Sequence, residues 1–234
     1  MRLTCTAADA LQQQADGSVA CVITDPPWAL QGGGRFEAVA AYERQSVGEI
    51  MATLADARRC LLPGGFLFLF APGGHELEEV MLGMSRHGWV FQRELCWRKG
   101  KNGLGAFQSA HEPVLVYSNG KSRGYELSGR YPSVLDWSRP AGRTAKPYQV
   151  YRVFLEMATR PGELVLDPYC GTNPLKAACE TLQPARRWLA ADILPPEGVN
   201  ANTSDTVRKQ RRSHPVAGQI VLAQPVLDKP EVSR

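Results

Sequence analysis

The sequence predicts a doubly wound α/β domain built on a mostly parallel sheet, and three observations carry that prediction. Short apolar runs alternate with stretches of helical periodicity from residue 19 to residue 193, the signature of repeated strand–helix–strand units. Two of those runs close on an acid followed at once by proline, Asp25-Pro26-Pro27 and Asp167-Pro168, and a third carries Asp192 near its end. With 234 residues, 44% of them hydrophobic, and no internal repeat, the chain holds material for one sizeable core. One domain over residues 1–193 and a tail over 194–234 is the economical division.

Residues 19–24 (VACVIT) are apolar and β-branched and stop at two prolines that cannot donate to a ladder, so they read as a buried strand. Residues 29–45 carry three successive glycines and mixed polar side chains, the composition of a mobile surface loop. Over residues 47–62, Val47, Ile50, Leu54, Ala57 and Leu61 recur at helical spacing until Pro63-Gly64-Gly65, and the strand FLFLFAP follows. A helix over 76–87, a strand over 89–97, a Gly/Lys turn and a strand over 113–117 come next. Residues 118–145 show no period and read as a loop. A helix over 147–159, a strand over 163–166, a helix over 174–182 and a strand over 187–193 complete the domain. Beyond Leu194, five prolines and the run RKQRR break every pattern, which predicts a flexible or loosely docked basic tail.

Composition narrows the function classes. No window approaches the roughly 18 apolar residues of a membrane span, and MRLTCTAADA lacks the layout of a signal peptide, so a soluble, cytoplasmic protein is expected. The six cysteines form no C-x-x-C pair, which argues against a zinc site or a disulfide framework. Charge is uneven: residues 1–92 hold six Lys/Arg against ten Asp/Glu, whereas residues 93–146 hold ten against four. A polyanion would meet that middle stretch, where Trp97, Tyr131 and Trp137 are interleaved with the basic residues, in a pattern suited to phosphate contact and base stacking.

Two segments carry chemistry. Residues 163–175 (ELVLDPYCGTNPL) read as strand, tight turn and helix, the layout that lets a glycine backbone approach a nucleotide-like ligand at a helix start. Some twenty residues on, Asp192 ends a strand, where a carboxylate can accept from ribose hydroxyls. The other segment is Asp25-Pro26-Pro27-Trp28 at the end of the first strand. An Asp-Pro turn alone would be unremarkable in a loop, and the conjunction of the two segments gives each its weight.

Asp25-Pro26-Pro27-Trp28 resembles the catalytic motif of the DNA amino-methyltransferases, and the segment around Asp167 is similar to their Asp-Pro-Phe-x-Gly-x-Gly cofactor motif. With the catalytic motif first, the order resembles the permuted, β-type arrangement of that family. Ala8-Asp9-Ala10-Leu11 stands where such chains open with a Gly-Asp-x-Leu-like turn, Lys146-Pro147 matches a Lys-Pro pair before the cofactor strand, and His111-Glu112-Pro113 resembles a further family segment. The resemblance runs from about residue 3 to residue 193. It implies a Rossmann-like fold and S-adenosylmethionine bound by Asp167, Pro168, Tyr169, Gly171 and Asp192. It also implies that Asp9 lies near the cofactor's adenine and Lys146 near the cofactor or the catalytic loop.

On that resemblance, Asp25, Pro26, Pro27 and Trp28 are the catalytic set. The lone pair of an adenine N6 is delocalised into the ring and attacks poorly unless its N–H groups are held by acceptors. Asp25 and the Pro26 carbonyl would be those acceptors, the two prolines would stiffen the strand end, and Trp28 would stack an extruded base. DNA is the implied partner and adenine N6 the implied target, because cytosine-N4 relatives more often begin the motif with serine. Cytosine N4, RNA adenine and a non-catalytic nucleic-acid-binding relative remain the alternatives. The chain departs from the family pattern at Asn173-Pro174, which replaces the second glycine. Asparagine tolerates the left-handed conformation and proline suits a helix start, so the turn is expected to form. Between His111 and Lys146 there is no room for a large recognition domain, so a homodimer or a specificity-lending partner is a candidate.

Overall fold

The computed structural model describes residues 1–29, 44–100, 110–126, 130–140 and 145–193. The elements follow in the order β1 (Arg2–Thr4), α1 (Ala7–Gln12), β2 (Val19–Thr24), α2 (Val47–Cys60), β3 (Leu61–Phe70), α3 (His75–Arg86) and β4 (Val90–Arg98). They continue with β5 (His111–Ser118), β6 (Val134–Leu135), α4 (Tyr148–Ala158), β7 (Leu164–Asp167), α5 (Pro174–Glu180) and β8 (Arg187–Asp192). The loop expected over 29–45 lies mostly outside the described residues, as does the tail from Leu194.

All the strands share one sheet in the order β1-β8-β7-β2-β3-β5-β4-β6. β5 pairs antiparallel with both β3 and β4, and every other pairing is parallel. The expectation of a mostly parallel sheet therefore holds with one reversed strand. Every residue of β2 is buried, because helices cover both faces of the sheet, the condition under which a strand is apolar throughout. Leu11 of α1 and the inward faces of α2 and α3 pack one side, and α4 and α5 pack the other. On the second side Phe154 stacks on Phe68 at 4.3 Å between ring centroids. Burying such a ring is worth about 1.5–3 kcal/mol, with the stacked pair adding roughly 1 kcal/mol.

From β2 the chain crosses through α2 to β3 on one side, and from β7 through α5 to β8 on the other. The winding reverses between β2 and β7, and the crevice outside their carboxyl ends is where such sheets bind ligands.

Four local expectations are corrected. Residues 7–12 form helix α1 rather than a turn at Ala8–Leu11, with Thr6 capping it by accepting from the Asp9 amide. β1 and the two-residue β6 were not anticipated; the latter falls inside the segment read as loop. Helix α2 stops at Cys60, and Pro63-Gly64-Gly65 lies inside β3 rather than between elements. Gly64 makes that possible: its φ is +72°, and a Cβ there would meet the Lys121 carbonyl oxygen at 2.5 Å. Only glycine fits so close a backbone approach.

Candidate active site

The parallel strands deliver three acids to one edge of the sheet. Val22 pairs with Leu166, so Asp167 lies beside Ile23 and Asp25 stands two residues further out. Asp167 pairs with Ala190, and Asp192, two residues on, lies next to Thr4 of β1. Asp9 is carried to the same edge by α1, which begins just past β1, and its carboxylate accepts from the Thr6 hydroxyl at 2.7 Å.

The turn after β7 is held from within. Asp167 is fully buried and accepts from the Tyr169 amide at 3.1 Å and the Tyr151 hydroxyl at 3.4 Å. Burial pushes its carboxyl up to about 7, and the hydrogen bond from the Tyr169 amide opposes that rise. Pro168 follows it and is likewise buried. Gly171 adopts φ +48° and gives its amide to Asp192 at 2.8 Å. A Cβ at Gly171 would meet nothing within 4 Å, so the turn faces open space. Asn173, at φ 59° and ψ 57°, takes the left-handed conformation, and its side-chain oxygen accepts from the Lys176 amide at 3.1 Å to cap α5, with Pro174 opening the helix. The departure from the glycine pattern thus supplies both the turn and the cap. An open glycine turn at a helix start, with an acid at the end of the next strand, fits a nucleoside-bearing cofactor.

After β2 the chain is equally constrained. The Trp28 amide donates to the Pro26 carbonyl at 2.9 Å, the Gln45 amide to Pro27 at 2.9 Å, and the Ala29 amide to Gln45 at 2.9 Å. The Pro26 carbonyl, expected to face a target amine, therefore has one of its two lone pairs engaged by its own loop. The Trp28 indole donates to the Phe70 carbonyl at 3.0 Å, which fixes the ring plane. The Tyr169 hydroxyl donates to the Gln45 side chain at 2.8 Å, joining the two motif loops.

Asp25 is the centre of a charged cluster. Lys146 Nζ donates to Asp25 Oδ2 and lies 3.2 Å from Glu112 Oε2. Glu112 Oε1 accepts from Lys99 at 2.9 Å and Arg139 at 3.2 Å. The Lys146 ammonium also sits 5.2 Å from the centre of the Phe70 ring and 5.8 Å from that of Trp97, within cation–π range. Burial pushes the Asp25 carboxyl up, the Lys146 ammonium pulls it back, and the Glu112 carboxylate adds to the rise; the net shift is upward. Burial also disfavours the Glu112 anion, but Lys146 and Lys99 outweigh it and hold that carboxyl below the usual range. Lys146 is itself held above the ordinary lysine value, its two carboxylates overcoming desolvation.

The structure therefore gathers Asp25, Pro26, Pro27, Trp28 and Lys146 at the end of β2, with Asp167, Pro168, Tyr169, Gly171 and Asp192 next to them and Asp9 further along the same edge. Sequence reasoning passed over Glu112, Lys99, Gln45 and Tyr151. For Glu112 the signal was present in His111-Glu112-Pro113, but which strand that segment would pair with was not readable. Among the described residues no cluster of His, Cys, Asp and Glu could hold a metal ion, and no helix is long and apolar enough to cross a membrane.

Comparison with known proteins gives this edge a family. The sequence profile of the DNA methylase family matches residues 19–194. The Type II methyltransferase M.HhaII of Haemophilus parahaemolyticus is 25% identical over 180 residues, covering 74% of this chain and 78% of the relative. Among solved structures, the PvuII DNA methyltransferase, described as cytosine-N4-specific, superposes with a TM-score of 0.67 at 17% identity, covering 83% of this chain and 82% of its own. M1.HpyAVI in complex with S-adenosylmethionine gives 0.63 at 17% identity, covering 83% and 94%. The DNA modification methylase TTHA0409 of Thermus thermophilus, complexed with S-adenosyl-L-methionine, gives 0.60 at 19% identity, covering 87% and 94%. The profile spans most of the chain, and both motif loops of the edge fall within it: the chain belongs to the DNA methylase family, the methyltransferases of exocyclic amines in DNA.

Proposed function

We propose that this protein transfers a methyl group from S-adenosylmethionine to N6 of adenine in DNA. The observation that carries the reading is the position of Asp25, at the carboxyl end of β2 beside the open glycine turn that follows β7. Two structures that share the fold hold S-adenosylmethionine, and the turn at Gly171 with Asp192 suits that cofactor. Asp25, rather than serine, at the head of the tetrapeptide favours adenine over cytosine.

When bound, S-adenosylmethionine supplies an electrophilic methyl group on a sulfonium. Asp25 accepts an N–H of the target amine, and the remaining lone pair of the Pro26 carbonyl accepts the other, which localises the nitrogen lone pair for in-line attack. The N–C bond forms as the S–C bond breaks with its electron pair going to sulfur, and the amine's extra proton then leaves to Asp25 or to water. Pro27 keeps the loop stiff, and the Trp28 ring stacks the extruded base. Asp192 accepts from the cofactor's ribose hydroxyls, and Asp167, Pro168, Tyr169 and Gly171 shape the turn that holds it, with Asp9 near its adenine. Much of the rate comes from holding amine and methyl carbon in line. The segment between His111 and Lys146 leaves target-sequence reading to short contacts or to a second subunit, which sedimentation with and without DNA would reveal.

The test is methyl transfer from labelled S-adenosylmethionine to duplex DNA, single-stranded DNA and RNA, followed by nucleoside mass spectrometry, with Asp25→Ala alongside. N6-methyladenine in DNA, reduced at least about 100-fold in the variant, is the expected result. N4-methylcytosine or modified RNA would replace the substrate, and no product on any nucleic acid from folded protein would overturn the reading.

A further inference from the structure

The Lys146 ammonium is shared. It is bound by two carboxylates on opposite sides, Asp25 from the end of β2 and Glu112 from the start of β5, and lies against the rings of Phe70 and Trp97. Its side chain is 10% exposed and that of Glu112 20%, so both charges sit where water screens them poorly and their partners decide what they do. On Asp25 the bond from Lys146 falls on Oδ2, and among the described residues no donor reaches Oδ1. Glu112 is fixed in turn by Lys99 and Arg139, and by its place in the ladder opposite Trp97. It is therefore an immobile second acceptor rather than a side chain that happens to touch the lysine.

A lysine given wholly to Asp25 would draw that carboxylate's electron density and weaken it as an acceptor. A lysine absent altogether would leave a desolvated carboxylate that favours its protonated, non-accepting form. We propose that Glu112 is a positioning residue for the methyl-transfer reaction: by dividing the Lys146 ammonium between two carboxylates, it keeps Asp25 ionised while leaving Asp25 Oδ1 to hold the target amine. The inference rests on the amine-methylation reading above and adds to it a residue outside both sequence motifs. The charged and titratable groups that face Asp25 are Lys146 ahead of α4, Glu112 on β5, Lys99 after β4, and Asp167 and Tyr151 from β7 and α4. Of these only Glu112 and Lys99 are out of hydrogen-bond reach of both Asp25 and the cofactor turn, so Glu112 can be changed without touching either.

The experiment combines a carbon-13 NMR titration of the Asp25 carboxyl in the free protein with kcat and KM pH profiles for methyl transfer, on wild type, Glu112→Gln, Glu112→Asp and Lys146→Gln. In Glu112→Gln the Asp25 titration and the acidic limb of the kcat profile move to lower pH by roughly half a unit or more. There kcat falls about tenfold while the KM for S-adenosylmethionine stays within about twofold, and Glu112→Asp restores most of the rate. In Lys146→Gln the same limb moves the other way, to higher pH. Loss of rate with neither the titration nor the limb moved, or an unchanged rate in Glu112→Gln, would overturn the proposal. A wild-type protein that methylates no nucleic acid would overturn the reading beneath it, and the NMR titration would still report the charge division by itself.

Discussion

The hydroxyl of Tyr169 donates to the side-chain oxygen of Gln45 at 2.8 Å, so the loop that follows β7 and the stem of the loop that follows β2 are tied across the crevice. Gln45 is also bonded through its backbone to Pro27 and Ala29, which extends the tie to the Asp-Pro-Pro-Trp segment. Removing the hydroxyl in Tyr169→Phe is expected to cost about 1 kcal/mol of stability. It should raise the KM values for cofactor and DNA together, by a few fold each. Thermal melts and steady-state kinetics on both substrates check this, and a rise confined to one substrate would show that the tie does not couple the loops.

Asp167 sets a dependence of stability on pH. Its carboxyl rises from the ordinary 3.8 to about 7 in the folded protein, so between those values the folded chain binds more protons than the unfolded one. Stability attributable to this group is therefore fully present below about pH 4 and is lost as pH rises through 7. Asp167→Asn should be more stable than wild type at pH 8, by up to about 4 kcal/mol on the scale of 1.36 kcal/mol for each pKa unit, and nearly equal to it at pH 4. Denaturant unfolding of the cofactor-free protein at the two pH values is the measurement.

Asn173 combines a left-handed backbone with a helix cap. Asn173→Ala loses the cap to the Lys176 amide and forces a β-carbon into the left-handed region, at an expected cost of about 2–3 kcal/mol. Asn173→Gly gives up only the side-chain bond and should cost a few tenths of a kcal/mol. Melting temperatures of the two variants would separate backbone conformation from capping, and equal losses would refute the assignment.

Arg123 offers a control remote from the chemistry. It makes two bonds to Glu163, at 2.8 Å and 2.5 Å, and one to the Ala158 carbonyl at 2.8 Å, joining the segment after β5 to the end of α4 and the start of β7. Arg123→Met leaves a half-buried carboxylate without its partner and is expected to destabilise by about 2–4 kcal/mol. kcat at a temperature where the variant is folded should be unchanged, and a change larger than about threefold would mean that β7 transmits strain to the cofactor turn.

Much of this architecture was legible in local patterns. β2 came out to the residue, because an apolar β-branched run meeting two prolines has one reading, and α4, α5 and β8 came within two residues of their observed bounds. β1, α1 and β6 were not legible: segments of three, six and two residues are too short to show a period, and they form because a neighbouring strand or helix pairs with them. Pro63-Gly64-Gly65 read as a stop because its local chemistry is that of a turn, while the partner that draws it into β3, the backbone of residues 119–123, is distant in sequence. The same divide runs through the site. Asp25 and the residues around Asp167 lie in contiguous motifs and could be named from the chain. Glu112 and Gln45 belong to the site only through strand order and loop closure, which no single stretch of sequence encodes.

The reversed strand has a consequence for how changeable this protein is. Catalytic edges of parallel sheets are usually furnished by the loops that leave the strands, and such loops are where relatives of a fold differ most. Because β5 runs against its neighbours, it brings Glu112 to that edge as the beginning of a strand, clasped by β3 on one side and β4 on the other. The partner of Lys146 is thus built into the frame, so the connections around the crevice could be exchanged for others, and with them the sequence being read, without loosening the charge pair that prepares the amine.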